Sequence, residues 1–125
     1  MGKKVLVVDD ELPVCGVLNE FLGIKGFQVL TSTSTRAALE MVDSEVPDAV
    51  VMDLLMPEMD GLEALMLIKK KHPELPVVIL TGAGYDVEIM KSVLENGADG
   101  FVSKGVFLEQ LLMELHRVMK RPAAA

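Results

Sequence analysis

Val5-Leu6-Val7-Val8-Asp9-Asp10 places four consecutive apolar residues directly before two acids. The run is near-continuous and rich in β-branched residues, so it reads as a strand buried on both faces. Three more runs follow the same plan. They are Ala49-Val50-Val51-Met52 before Asp53, Val77-Val78-Ile79-Leu80 before Thr81, and Phe101-Val102-Ser103 before Lys104. As parallel strands of one sheet, these would bring their carboxyl ends to one edge. Three carboxylates, a hydroxyl and an ammonium would then share the crevice where open α/β sheets bind ligands. An acid cluster with one cation and one hydroxyl suits a divalent metal and a transferable phosphoryl group.

Helical patterns lie between the runs. Residues 13–25 carry an apolar stripe at Val14, Val17, Leu18, Phe21 and Leu22, with Asp10 or Glu11 at its start, Pro13 in its first turn and Gly26 as its stop. Residues 27–31 form a second strand. Residues 35–44 form a helix capped by Thr33 or Ser34. Asp60 caps a helix to about Lys70, residues 85–95 form another that ends at Asn96-Gly97, and residues 107–120 form the last. Five strand–helix units imply an α/β fold, a parallel sheet with helices on both faces. Periodicity leaves two strand orders open, flavodoxin-like 2-1-3-4-5 and a Rossmann-type order.

Composition narrows the function. The chain has 125 residues, half of them hydrophobic, enough for one domain with a real core. Its net charge of −7 argues against gripping nucleic acid or anionic membrane unaided. No run reaches transmembrane length, and Lys3-Lys4 precede too short an apolar stretch for a signal peptide, so a cytoplasmic location is expected. The single Cys15, set among Val14, Val17 and Leu18, reads as a buried hydrophobe. Lys69-Lys70-Lys71 reads as a solvated helix end, and His72 and His116 as histidines without ligand partners. Residues 122–125, Pro-Ala-Ala-Ala, are set aside as a linker remnant or an appended tail, which leaves 1–121 as the domain.

Asp9, Asp10 and Asp53 could each merely cap a helix. For Asp53 that explanation is weak, because Leu54-Leu55-Met56-Pro57 starts no helix. Three unpaired acids at one edge would repel each other, and a Mg²⁺ ion relieves the repulsion. Lys104 at the same edge can pair with Asp53 and with phosphoryl oxygens. Thr81, followed by Gly82-Ala83-Gly84, has small neighbours that leave room for a ligand.

Together these residues resemble the receiver domain of two-component response regulators, the CheY-like family. The resemblance covers residues 3–120. It rests on Val-Val-Asp9-Asp10-Glu11, on Pro47-Asp48, on Asp53-Leu-Leu-Met-Pro57-Glu-Met-Asp60-Gly61, on Leu80-Thr81-Gly82 and on Gly97-Ala98-Asp99-Gly100-Phe101-Val-Ser-Lys104. It implies the 2-1-3-4-5 order. It also implies Asp53 as phospho-acceptor and Asp9 and Asp10 as the Mg²⁺ pair, with Asp10 the more direct ligand and the Leu55 backbone carbonyl as the third protein contact. Thr81 and Lys104 resemble the residues that hold phosphoryl oxygens, and Phe101 the switch aromatic. Two departures stand out. Gly105 replaces the frequent Pro after the lysine, where a cis bond without Pro costs about 3 kcal/mol. Phe101 replaces the frequent Tyr.

The expected function is a signalling switch rather than a metabolic enzyme. The partner would be a sensor histidine kinase or a histidine phosphotransfer protein, whose phosphohistidine Asp53 attacks. The changed surface of residues 87–95, 99–103 and 107–120 would then recruit a downstream effector or signal to an output domain, and the resemblance leaves room for a phosphorylation-dependent dimer. Leu55 and Ala83 flank the path of hydrolytic water and orient none, so slow self-dephosphorylation is expected. The alternative is a receiver-like interaction module that works without phosphorylation. An FMN binder is disfavoured because Asp9-Asp10-Glu11 would repel its phosphate. An aspartate phosphatase would want an Asp-x-Asp pattern and a cap domain.

Overall fold

The computed structural model describes residues 2–54, 61–82, 87–104 and 108–119. Ten elements alternate along it: β1 (Lys4–Val8), α1 (Leu12–Ile24), β2 (Gln28–Ser32), α2 (Thr35–Glu45), β3 (Ala49–Asp53), α3 (Gly61–Lys71), β4 (Val77–Thr81), α4 (Val87–Glu95), β5 (Gly100–Ser103) and α5 (Leu108–Met119). The five strands are parallel and stand in the order β2-β1-β3-β4-β5. Of the two orders left open by periodicity, this is the flavodoxin-like one. No helix among the described residues is long and apolar enough to cross a membrane.

Alternation along the strands divides the core. Leu6, Val8, Val50, Met52, Val77 and Ile79 face α2, α3 and α4. Val5, Val7, Ala49, Val51, Val78 and Leu80 face α1 and α5. Both faces of β1, β3 and β4 are therefore dry, which is why these strands read as unbroken apolar runs. Cys15 is buried in α1, as expected.

Element ends follow from local chemistry. The Phe27 amide donates to the Leu22 carbonyl (3.0 Å) and closes α1, so β2 starts one residue later than the sequence pattern suggests. Ser34 rather than Thr33 caps α2, its side chain accepting from Ala37 N at 3.2 Å. Gly97 ends the α4 turn at φ +105°, a conformation that costs glycine little. Asp60 and the Lys104–Gly105 bond lie outside the described residues.

The lysine run needs correction. Lys70 and Lys71 are exposed, but Lys69 folds inward. Its ammonium is 2.7 Å from Asp99 Oδ2 and donates to the Leu75 carbonyl at 2.6 Å. Asp99 Oδ2 also accepts from Val77 N (2.9 Å). This partly buried pair ties α3 to the starts of β4 and β5, far from the carboxyl edge. Once packing removes the acid from water, a nearby cation offsets the burial. His72 also has a partner, Asp43 Oδ1 at 2.8 Å, and His116 lies against the Phe27 ring.

Candidate functional site

β1 and β3 are adjacent in the sheet, and Val8 pairs with Met52, so Asp9 and Asp53 emerge side by side. Asp9 is fully buried and Asp53 is 3% exposed. The Asp9 amide donates to the Ser32 carbonyl (3.0 Å), and Asp9 Oδ1 accepts from Glu11 N (2.9 Å). These bonds fix the carboxylate and leave Oδ2 for the cluster. Cys15 supports the same turn, its Sγ donating to the Asp9 carbonyl at 3.3 Å.

Lys104 arrives from the other half of the sheet. Its amide donates to the Thr81 carbonyl (2.8 Å), which clamps the exit of β5 to the end of β4. From there the ammonium reaches three carboxylates: Asp53 Oδ2 at 2.8 Å, Glu11 Oε1 at 2.8 Å and Asp9 Oδ2 at 2.9 Å. The first two contacts are hydrogen bonds. The third is close enough for ion pairing but is off the direction of a hydrogen bond, so buried Asp9 Oδ2 has none.

The electrostatics follow from this packing. Burial raises the Asp9 carboxyl above its ordinary value, against the lowering effect of Lys104 and the Glu11 amide. Burial alone would lower the Lys104 ammonium. Its contacts with the Asp53, Glu11 and Asp9 carboxylates outweigh it and hold the group above its ordinary value. Lys104 is thus a permanent cation at neutral pH.

Asp9, Asp10, Glu11 and Asp53 each place a carboxylate oxygen such that all lie within 4.8 Å of one another. The donors are all oxygen, and one of them is a buried atom without a hydrogen bond. That is the donor chemistry of a hard, strongly hydrated divalent cation, and Mg²⁺ fits it.

The remaining expected residues fall as follows. Thr81 ends β4, one residue beyond Leu80, which pairs with Asp53 across the sheet. Phe101 pairs with Ile79 and packs, partly buried, against the core on the α4 side. Leu55 and Ala83 lie outside the described residues. Gly61 opens α3 with its amide donating to the Leu54 carbonyl (2.9 Å), and a Cβ there would collide with the Leu54 backbone. Glycine after Asp60 is therefore what lets α3 start directly behind Asp53.

Glu11 was missed as a site residue. The sequence suggested only that it could charge the start of α1. Its backbone is indeed the N-cap, but its side chain makes no cap hydrogen bond and turns to Lys104 instead. The available signal was a third acid directly after Asp9-Asp10.

Both the sequence and the fold have known relatives. Response regulator MprA of Mycolicibacterium vanbaalenii is 36% identical over 121 residues, 97% of this chain and 52% of that protein. MprA of Mycobacterium tuberculosis is 35% identical over the same length and shares. The chain spans about half the length of the curated relatives it matches. Among solved structures, the response regulator receiver domain protein from Clostridium thermocellum superposes with a TM-score of 0.89 at 31% identity, covering 95% of each chain. The Vibrio cholerae chemotaxis protein CheY4 superposes with a TM-score of 0.88 at 28% identity, covering 94% of this chain and 99% of that one. Residues 5–116 match the family described as Response regulator receiver domain, so the chain belongs to the response-regulator receiver family.

Proposed function

We propose that this receiver accepts a phosphoryl group on Asp53 from a phosphohistidine of a sensor kinase or phosphotransfer protein. The observation that carries the proposal is the Lys104 ammonium held 2.8 Å from the buried Asp53 carboxylate beside a cluster of acids. Asp9, Asp10 and Asp53 would hold Mg²⁺, with the Leu55 carbonyl as a further ligand; when bound, the ion supplies positive charge beside the phosphoryl oxygens. A carboxylate oxygen of Asp53 attacks phosphorus, the O–P bond forms as the N–P bond breaks, and the leaving imidazole keeps the electron pair and takes a proton. Lys104 is already placed to neutralise the charge that builds on the transferred oxygens, so little reorganisation is needed.

The switch would start at Thr81. Its hydroxyl can donate to a phosphoryl oxygen and draw the end of β4 towards Asp53. Phe101, on the neighbouring strand and packed towards α4, would then repack and change the α4-β5-α5 surface. A largely complete shift of such an equilibrium needs about 5 kcal/mol, within reach of several charge-assisted hydrogen bonds. We take residues 1–121 as the working domain and the cytoplasm as its location. An effector or an output domain would read the surface.

The test is incubation of the chain with acetyl phosphate and Mg²⁺, followed by intact mass. We expect one phosphoryl adduct, abolished by EDTA and by Asp53→Asn. No adduct, or one that persists in Asp53→Asn, would favour the phosphorylation-independent interaction module instead.

A further inference from the structure

We propose that Glu11 is a positioning residue that parks Lys104 on the cation site and thereby opposes divalent-ion binding. This rests on the Mg²⁺-dependent reading above and adds a residue to it. One ammonium lies within 2.9 Å of oxygens from Asp9, Glu11 and Asp53. Those residues belong to the same four-acid cluster that would receive a divalent ion. An ammonium pressed against Asp9 Oδ2 repels a second cation at the same carboxylate, so Lys104 draws back from it when an ion binds.

How readily the lysine withdraws depends on what else holds it. A ligand shifts an equilibrium only through contacts that differ between its two states. Asp53 is the intended partner of Lys104 with or without metal, so it contributes little to the difference. Glu11 is different. It stands at the N-cap of α1 rather than on a strand end, and its exposed side chain has to cross to the ammonium to hold it over Asp9. The contact joins residues 93 positions apart and leaves the α1 N-terminus without a side-chain cap. Its strength therefore favours the metal-free state.

A rival reading makes Glu11 another oxygen donor to the ion, and the two readings differ in sign. Glu11→Asp keeps the charge but shortens the arm by one methylene, so it loses Lys104. Mg²⁺ titration calorimetry on the whole chain is the measurement, with circular dichroism to confirm the fold. We expect Glu11→Asp to bind Mg²⁺ about two- to fivefold more tightly, the range of a partly exposed ion pair. The gain should vanish in a Lys104→Met background, where there is no ammonium to park. Unchanged or weaker binding in Glu11→Asp overturns the proposal, as does an equal gain without Lys104. The single variant decides even if the Lys104→Met chain does not fold. Wild-type protein that binds no Mg²⁺ defeats the underlying reading as well, whereas normal wild-type binding with an indifferent Glu11→Asp defeats the latch alone.

Discussion

Lys104 Nζ stands 2.8 Å from Asp53 Oδ2, although 51 residues separate the two in the chain. The approach is built by the sheet. β3 and β5 are not neighbours, and β4 lies between them. The bond from Lys104 N to the Thr81 carbonyl holds the exit of β5 against the end of β4, and the long lysine arm spans that strand.

Asp9 is a fully buried acid at the carboxyl end of β1. Its carboxyl is raised by burial, so its favourable contribution to stability is fully present below the unfolded value of 3.8 and is lost as pH rises through the folded value. At neutral pH it is a net burden on the metal-free protein. Asp9→Asn keeps the acceptor for Glu11 N and leaves Lys104 two carboxylates. We expect it to stabilise the metal-free chain by about 1 kcal/mol and to abolish most of the rise in Tm caused by Mg²⁺. Thermal melts with EDTA and with Mg²⁺ check both. A lower Tm in EDTA would mean that the Asp9–Lys104 pair is net stabilising.

Lys69→Met leaves the partly buried Asp99 carboxylate beside an uncharged side chain. Removing one partner of a fully buried pair costs about 3–5 kcal/mol, and for this part-buried pair about 1–3 kcal/mol is expected. Urea denaturation should show a loss of that order. The variant, once folded, should still form the adduct, because the pair sits at the opposite end of the sheet from Asp53. A loss under 1 kcal/mol would mean that water reaches the pair.

Gly61→Ala forces a methyl group into the Leu54 backbone. The α3 start has to move, and overpacking of this kind costs about 1–3 kcal/mol. The effect should appear as a lower urea midpoint with an unchanged slope. Wild-type stability in this variant would show that α3 begins farther from β3.

Asp43 joins α2 to α3 by accepting from Lys71 Nζ (2.7 Å) and meeting His72 Nε2 (2.8 Å). Hydrogen bonds from Lys71 and then His72 hold its carboxyl below the ordinary 3.8. A lowered acid contributes stability that is present above its unfolded value and is lost as pH falls through the folded one. Carbon-detected NMR should show Asp43 titrating below 3.8, and Lys71→Met should move the midpoint upward. A wild-type midpoint at 3.8 would mean that the contact is not made in solution.

The five strand–helix units, the edge that gathers Asp9, Asp10, Asp53, Thr81 and Lys104, and the family were legible before any coordinates. The units and the edge come from local pattern, in which short apolar runs make buried strands and each polar residue sits at a fixed offset from its run, and the family comes from the resemblance of the motifs. The fate of Lys69 and the role of Glu11 were not legible. Both depend on which carboxylate lies opposite a long cationic arm, and chain position carries no such information.

From the order of its residues, then, this chain declares an α/β receiver with its reactive groups on a common edge, because hydrophobic periodicity and turn chemistry act between near neighbours. Strand order, and the placing of Lys104 among three acids, are settled only when distant segments pack. Coulomb attraction and desolvation depend on distances through space, and β1, β3 and β5 acquire theirs when the sheet forms.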